Sequence, residues 1–77
     1  MSKELPALRA KEAVRILENA GFIHWRQKGG HLVPHREHDN CILTVPMHFA
    51  KTVPKGTLRA IIKQAGLSIN EFLRFRL

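Results

Sequence analysis

Two helix-type patterns of apolar residues enclose a central stretch of β-type sequence, and this order narrows the folds open to the chain. In the first pattern apolar residues recur at i, i+3, i+4 and i+7, as Ala10, Ala13, Val14 and Leu17. The second pattern has the same spacing, with Leu58, Ile61, Ile62 and Ala65. Because isolated helices of this length are marginal in water, each apolar stripe must pack against another element.

The central stretch predicts three short strands. Aromatic and β-branched residues mark the first at 22–27, a glycine pair that tolerates positive φ forms the turn, and His31 starts the second. Because Pro34 has no N–H for the ladder, the second strand is expected to be short or interrupted. The third strand covers 41–45 and ends at Pro46. Short connections between consecutive strands favour an antiparallel meander.

Together these elements predict an α+β fold, a two-layer α-β-β-β-α domain with a three-stranded antiparallel sheet. Ser68 and Glu71 have the spacing of a capping box and predict an added short C-terminal helix. With both main helices on one face of the sheet, the other face is left for solvent or a ligand. At 77 residues, we expect 1–77 to form a single domain whose site lies at the surface rather than in a deep pocket.

The charge balance indicates an anionic partner without identifying it. The chain has 13 Lys and Arg against 6 Asp and Glu, a formal net charge of +7 at pH 7. Nucleic acid, anionic lipid and acidic protein all suit such a charge. No apolar run approaches the roughly 20 residues that span a bilayer, and the first residues lack the apolar core of a signal peptide. The one cysteine, Cys41, cannot form an internal disulfide, which fits a reducing compartment. We therefore expect a cytoplasmic protein, and because it has no candidate spanning segment we expect no membrane partner.

Several stretches carry a resemblance to a known family: RQKGGH at 26–31, TVPMH at 44–48 and PKGTLRAIIKQAGLSINEFL at 54–73. In this order and spacing the chain resembles the HicA toxin family, from about Glu12 to Leu73. The resemblance implies a fold related to the double-stranded RNA-binding domain, and mRNA cleavage without a cofactor or metal in a toxin–antitoxin module. It also implies a HicB-like antitoxin as partner, with the toxin a monomer when free and part of a hetero-oligomer when neutralised.

The resemblance places the catalytic histidine at His31, after the glycine pair. Metal-free RNA cleavage needs a base that takes the proton of the ribose 2′-OH and an acid that protonates the leaving 5′-oxygen. An imidazole titrating near neutrality can serve in either role. Many family members have Ser where this chain has Gly30, and a second histidine where this chain has Leu32. The alternative is an exposed histidine at a strand start with no chemical role.

The expected RNA contacts combine cations, the flexible turn and a second histidine: Arg26, Lys28, Gly29, Gly30, His48, Lys55 and Arg59. Lys55 and Arg59 belong to the start of the second main helix, where free N–H groups also favour phosphate. The alternative interpretations are charges that serve solubility, an ordinary hairpin turn, and a loop histidine without function at position 48. His35 and His38 are spaced i, i+3 but no third ligand completes a metal set, so we expect none.

Two other functions fit the same sequence. One is a non-catalytic RNA-binding module of the double-stranded RNA-binding fold, which would recognise duplex shape and phosphates. The other is a protein-interaction module whose positive face binds an acidic partner without any role in nucleic acid binding.

Overall fold

A computed structural model describes residues 5–47 and 52–76, with all side chains in those ranges except His24 and Trp25. The chain order of its elements is α1 (Ala10–Asn19), β1 (Ile23–Lys28), β2 (His31–Arg36), a 3-10 turn (Glu37–Asp39), β3 (Cys41–Ile42), β4 (Val45–Pro46), α2 (Lys55–Gln64) and α3 (Ile69–Arg74). The helices of the described ranges lack the length and hydropathy that a membrane-spanning segment needs.

The sheet is antiparallel, with β1 on one side of β2 and both β3 and β4 on the other. Leu32, Leu43 and Val45 are buried in the same core as the apolar stripes of α1 and α2, so the helices cover this side of the sheet. His31, between the turn and Leu32, is exposed on the opposite side. The predicted α+β class, the antiparallel sheet with three strand positions and the resemblance to the double-stranded RNA-binding fold are confirmed; β3 and β4 share the third position.

The interruption expected from Pro34 falls on the neighbouring strand instead. β2 continues through Pro34 for its six residues, so the expectation of a short or broken second strand is wrong. The predicted third strand, 41–45, is wrong as one unit, because it consists of β3 and β4 in the same register against β2. Leu43 lies opposite Pro34 and donates its N–H to the Pro34 carbonyl at 2.9 Å. The reciprocal bond is impossible because proline has no N–H, and the ladder is interrupted there.

A bulge in β1 decides which of its side chains face the helices. His24 is paired with Pro34 but Arg26 with Val33, so Trp25 is an extra residue in β1. Strict alternation from Ile23 would place residues 24, 26 and 28 on one face. The extra residue reverses the alternation and places Arg26 and Lys28 on the same side as Ile23.

The chain segments that precede α1 and α2 are hydrogen-bonded to each other. Val53 donates its N–H to the Leu8 carbonyl at 2.7 Å, and Arg9 forms an isolated antiparallel bridge with Thr52.

The capping box predicted at the start of the C-terminal helix α3 is confirmed. The Glu71 N–H donates to Ser68 Oγ at 3.0 Å, and the Ser68 N–H donates to a Glu71 carboxylate oxygen at 2.9 Å.

Candidate nucleic-acid interface on the open sheet face

The side of the sheet away from the helices, here called the open face, consists of three cross-strand rows. The register gives the rows as Lys28–His31–Pro46 next to the turn, Arg26–Val33–Thr44 in the middle, and Ile23–His35–Ile42 at the far end. Directly opposite residues in such rows have Cβ atoms about 4.5–5.5 Å apart. Arg26 and Lys28 are therefore the cations that the sheet brings nearest to His31.

His31 is held by backbone pairing on both sides of β2. It lies opposite Lys28 in the hairpin and opposite Pro46 of β4. Just before it, the Gly30 carbonyl accepts a hydrogen bond from the Met47 N–H at 2.6 Å. The imidazole is exposed at the start of β2, where an oligonucleotide can reach it. This geometry allows proton transfer with a bound polyanion.

The turn next to His31 has the conformation that its glycines allow. Gly29 has φ +59°, in the left-handed region, and a positive φ at the first loop position is the type II′ hairpin pattern. A Cβ at Gly29 would meet no atom within 4 Å, so the constraint on this residue is conformational rather than steric. The open space over the turn leaves room for a phosphodiester to approach the backbone closely.

Lys55 and Arg59 lie in the other layer of the molecule. Both are exposed on α2, whose Leu58, Ile61 and Ile62 pack in the core on the helix-covered side of the sheet. The predicted RNA-binding set is thus divided between the open face and the helical layer. His48, which was also predicted to contact RNA, lies outside the described residues.

A groove of about 640 Å³ lies between α1 and the helix-facing side of the hairpin. Its lining includes Lys11 and Arg15 of α1 together with Gln27, Leu32 and Met47. None of the predicted site residues that the structure describes lines it. Among residues 5–47 and 52–76, no group of three or more His, Cys, Asp or Glu side chains is placed to hold a metal ion.

His35 is a residue of the open face that sequence reasoning set aside. It was considered only as part of an incomplete metal pair, yet it faces the same side as His31, four residues along β2. The signal was present in the alternation of β2, where positions 31, 33 and 35 share a face. It was missed because Pro34 made a strand through position 35 look improbable.

The arrangement defines a class of small α+β domain, with helices on one side of an antiparallel sheet and an exposed histidine beside two cations on the other. The chain belongs to the HicA toxin family: the family model, described as the HicA toxin of bacterial toxin–antitoxin systems, matches residues 10–67. Membership implies the toxin component of a toxin–antitoxin module, with ribonuclease activity and an antitoxin as partner. A comparison with individual curated proteins found no match.

Proposed function

We propose that this protein is an mRNA-cleaving endoribonuclease toxin in which His31 performs the proton transfer. The observation that carries the proposal is the exposed position of His31 at the end of β2, opposite Lys28, in a chain of the HicA toxin family. The cleavage we propose needs no metal: the ribose 2′-oxygen attacks the adjacent phosphorus, and the bond to the 5′-oxygen breaks.

Two proton movements accompany that attack. A base takes the proton of the 2′-OH, and an acid delivers a proton to the departing 5′-oxygen. His31 is proposed to carry out one of these transfers, and solvent or a group of the RNA the other. Each positioned acid or base contributes about 10²–10⁴-fold, so a single histidine supports a modest rate. Lys28 and Arg26 offset the charge that builds on the phosphate during the attack.

The remaining predicted contacts would hold RNA beyond the reacting phosphate. Gly29 and Gly30 would let the RNA backbone approach the turn, and Lys55 and Arg59 would contact phosphates that pass around to the helical layer. Because the proposed substrate is mRNA, we expect the toxin to act in the cytoplasm. We expect it to be a monomer when free and to form a hetero-oligomer with a HicB-like antitoxin.

Replacing His31 with Ala tests the assignment of the chemistry. We expect His31→Ala to lower the cleavage rate of a single-stranded RNA oligonucleotide by about 10²–10⁴-fold, measured in the presence of a metal chelator. The circular dichroism spectrum and the melting temperature should stay close to those of the parent, because the side chain is exposed.

The matched control is His38→Ala, which removes an exposed histidine from the 3-10 turn rather than from the open face. This control should cleave at the parent rate. Cleavage by His31→Ala at the parent rate would show that the chemistry lies elsewhere. RNA that is bound by the parent chain but left intact would identify a non-catalytic RNA-binding module instead.

A further inference from the structure

The far row of the open face exposes apolar surface that the proposed chemistry does not use. Ile23 and Ile42 are 56% and 51% exposed, and they are the large apolar residues left exposed among those described. Both flank His35 in one cross-strand row, Ile23 from β1 and Ile42 from β3. The three side chains therefore form one continuous strip across the full width of the sheet, here called the isoleucine strip.

The strip is built on an ordered frame. His35 Nε2 lies 3.2 Å from Asn40 Oδ1, and this contact connects the strip to the turn that follows β2. Asn40 itself has φ +55°, a left-handed conformation that asparagine tolerates better than most residues. The contact restrains the His35 ring, which therefore has less conformational entropy to lose when a partner covers it.

The open face has a single sign of charge. Its described strand residues include Arg26 and Lys28 as well as His31 and His35, and no Asp or Glu. His31 and His35 are four residues apart on one strand, a separation of about 13 Å. The face thus has an apolar end and a cationic end, with the proposed reaction centre at the cationic end.

We propose that the isoleucine strip is the anchor for the antitoxin of this module, a proposal that rests on the proposed function. The partner we infer presents apolar side chains to Ile23 and Ile42, and carboxylates to Arg26 and Lys28, about 7 and 13 Å further along the sheet. Bound in this way it covers His31 without needing to contact the imidazole. Protein is favoured over RNA because exposed aliphatic surface matches apolar side chains, whereas bases stack best on aromatic rings.

This arrangement separates the anchoring of the inhibitor from the chemistry of the toxin. Substitutions in the isoleucine strip should release the toxin from its antitoxin and leave its ribonuclease activity intact. Removing His31 should do the reverse, abolishing cleavage while the complex still forms.

The test uses the full chain and, as the probe, the purified protein encoded by the reading frame adjacent to this one. The variant is the double substitution Ile23→Ser with Ile42→Ser, and the control is Gln64→Ser, which shortens an exposed side chain of α2. We expect the double variant to raise the Kd for the probe by about tenfold or more, with RNA cleavage within about twofold of the parent. The control should change neither quantity.

Three results would overturn the proposal: no binding of the probe to the parent chain, an unchanged Kd for the double variant, or a loss of cleavage equal to the loss of binding. The last result, with an unchanged melting temperature, would assign the strip to RNA. Because Kd is measured without RNA, the first two outcomes are independent of the His31→Ala experiment, so failure of the docking proposal and failure of the proposed chemistry are distinguishable.

Discussion

Arg36, at the end of β2, makes several kinds of contact with other parts of the described chain. Its guanidinium donates to both carboxylate oxygens of Asp39, at 3.0 and 2.7 Å, and to the Ala65 carbonyl at the end of α2, at 2.9 Å. It also lies over the Phe22 ring, 4.7 Å from the centroid. This side chain thus connects the sheet, the 3-10 turn, the chain that follows α1 and the end of α2, at the end of the sheet away from His31.

Asp39 makes the stability of the fold depend on pH. The hydrogen bonds from the Arg36 guanidinium lower the pKa of Asp39 from 3.8 to about 2, and the Cys41 N–H adds to this effect. A carboxylate whose pKa is lower in the folded state contributes stability above its unfolded pKa, and this contribution is lost as the pH falls through the folded value. We therefore expect Asp39→Asn to be less stable than the parent at neutral pH, with the difference shrinking between about pH 5 and pH 2.

The measurement is the urea midpoint of both proteins at several pH values. Glu37→Gln removes the same charge from the first position of the same 3-10 turn and serves as the control. If the difference between parent and Asp39→Asn stays constant down to pH 2, the ion pair with Arg36 is not the cause.

At the scale of elements, the missing N–H of Pro34 interrupts the strand next to β2 and not β2 itself. The missing N–H was expected to shorten β2. However, Pro34 is buried in the core and its carbonyl still accepts from Leu43, so β2 keeps its place between its neighbours. The missing donor instead divides the adjacent strand into β3 and β4. Sequence alone could not show this, because it depends on which neighbour the amide at position 34 faces.

A residue with a backbone N–H at position 34 should join β3 and β4 into one continuous strand. In Pro34→Val the new amide faces the Leu43 carbonyl, and a backbone hydrogen bond there adds about 0.5–1.5 kcal/mol. The loss of proline rigidity in the unfolded chain offsets about 0.4–1 kcal/mol of this. We therefore expect a change in stability within about 1 kcal/mol, together with a new amide at position 34 that is protected from hydrogen exchange.

Hydrogen exchange followed by NMR distinguishes the outcomes for Pro34→Val. Protection at position 34 comparable to that of the Val33 and His35 amides would show a continuous ladder. Rapid exchange at position 34 in a folded protein would contradict the reason given for the break between β3 and β4.

For the whole molecule, the distribution of cations decides how RNA can be held. Arg26 and Lys28 lie on the open face, whereas Lys55 and Arg59 are exposed in the helical layer. A strand of RNA that touched all four would have to pass from one layer of the molecule to the other. The number of layers that contact phosphate therefore has to be measured on the intact protein.

The salt dependence of RNA binding measures those contacts by layer. Each phosphate contact to single-stranded RNA contributes a slope of about −0.7 to log K against log salt. We expect the double variants Arg26→Ala with Lys28→Ala, and Lys55→Ala with Arg59→Ala, each to reduce the slope by about 1.4. Binding is measured in the His31→Ala background so that the RNA stays intact.

Lys63→Ala removes an exposed cation from the last turn of α2 and is the matched control for this series. Its slope should equal that of the His31→Ala parent. A change in slope with only one of the two double variants would confine RNA to that layer, and no change with either would refute phosphate binding by these cations.

Periodicity and turn chemistry determined much of this protein by sequence alone. The two apolar stripes, the glycine pair of the hairpin and the capping box at Ser68 were all recognised correctly, because each depends on residues within a few positions of one another. The motifs around His31 and along α2 identified the family for the same reason.

Tertiary structure decided which of those residues meet. The extra residue at Trp25 brings Arg26 and Lys28 to the open face, and the register of β2 between two neighbours assembles the isoleucine strip from three separate strands. The packing of α2 against the covered side of the sheet places Lys55 and Arg59 in the opposite layer from His31. Cross-strand register and layer packing join residues distant in the chain, and a shift of one residue in a strand exchanges its faces, so these features arise only when the sheet is assembled.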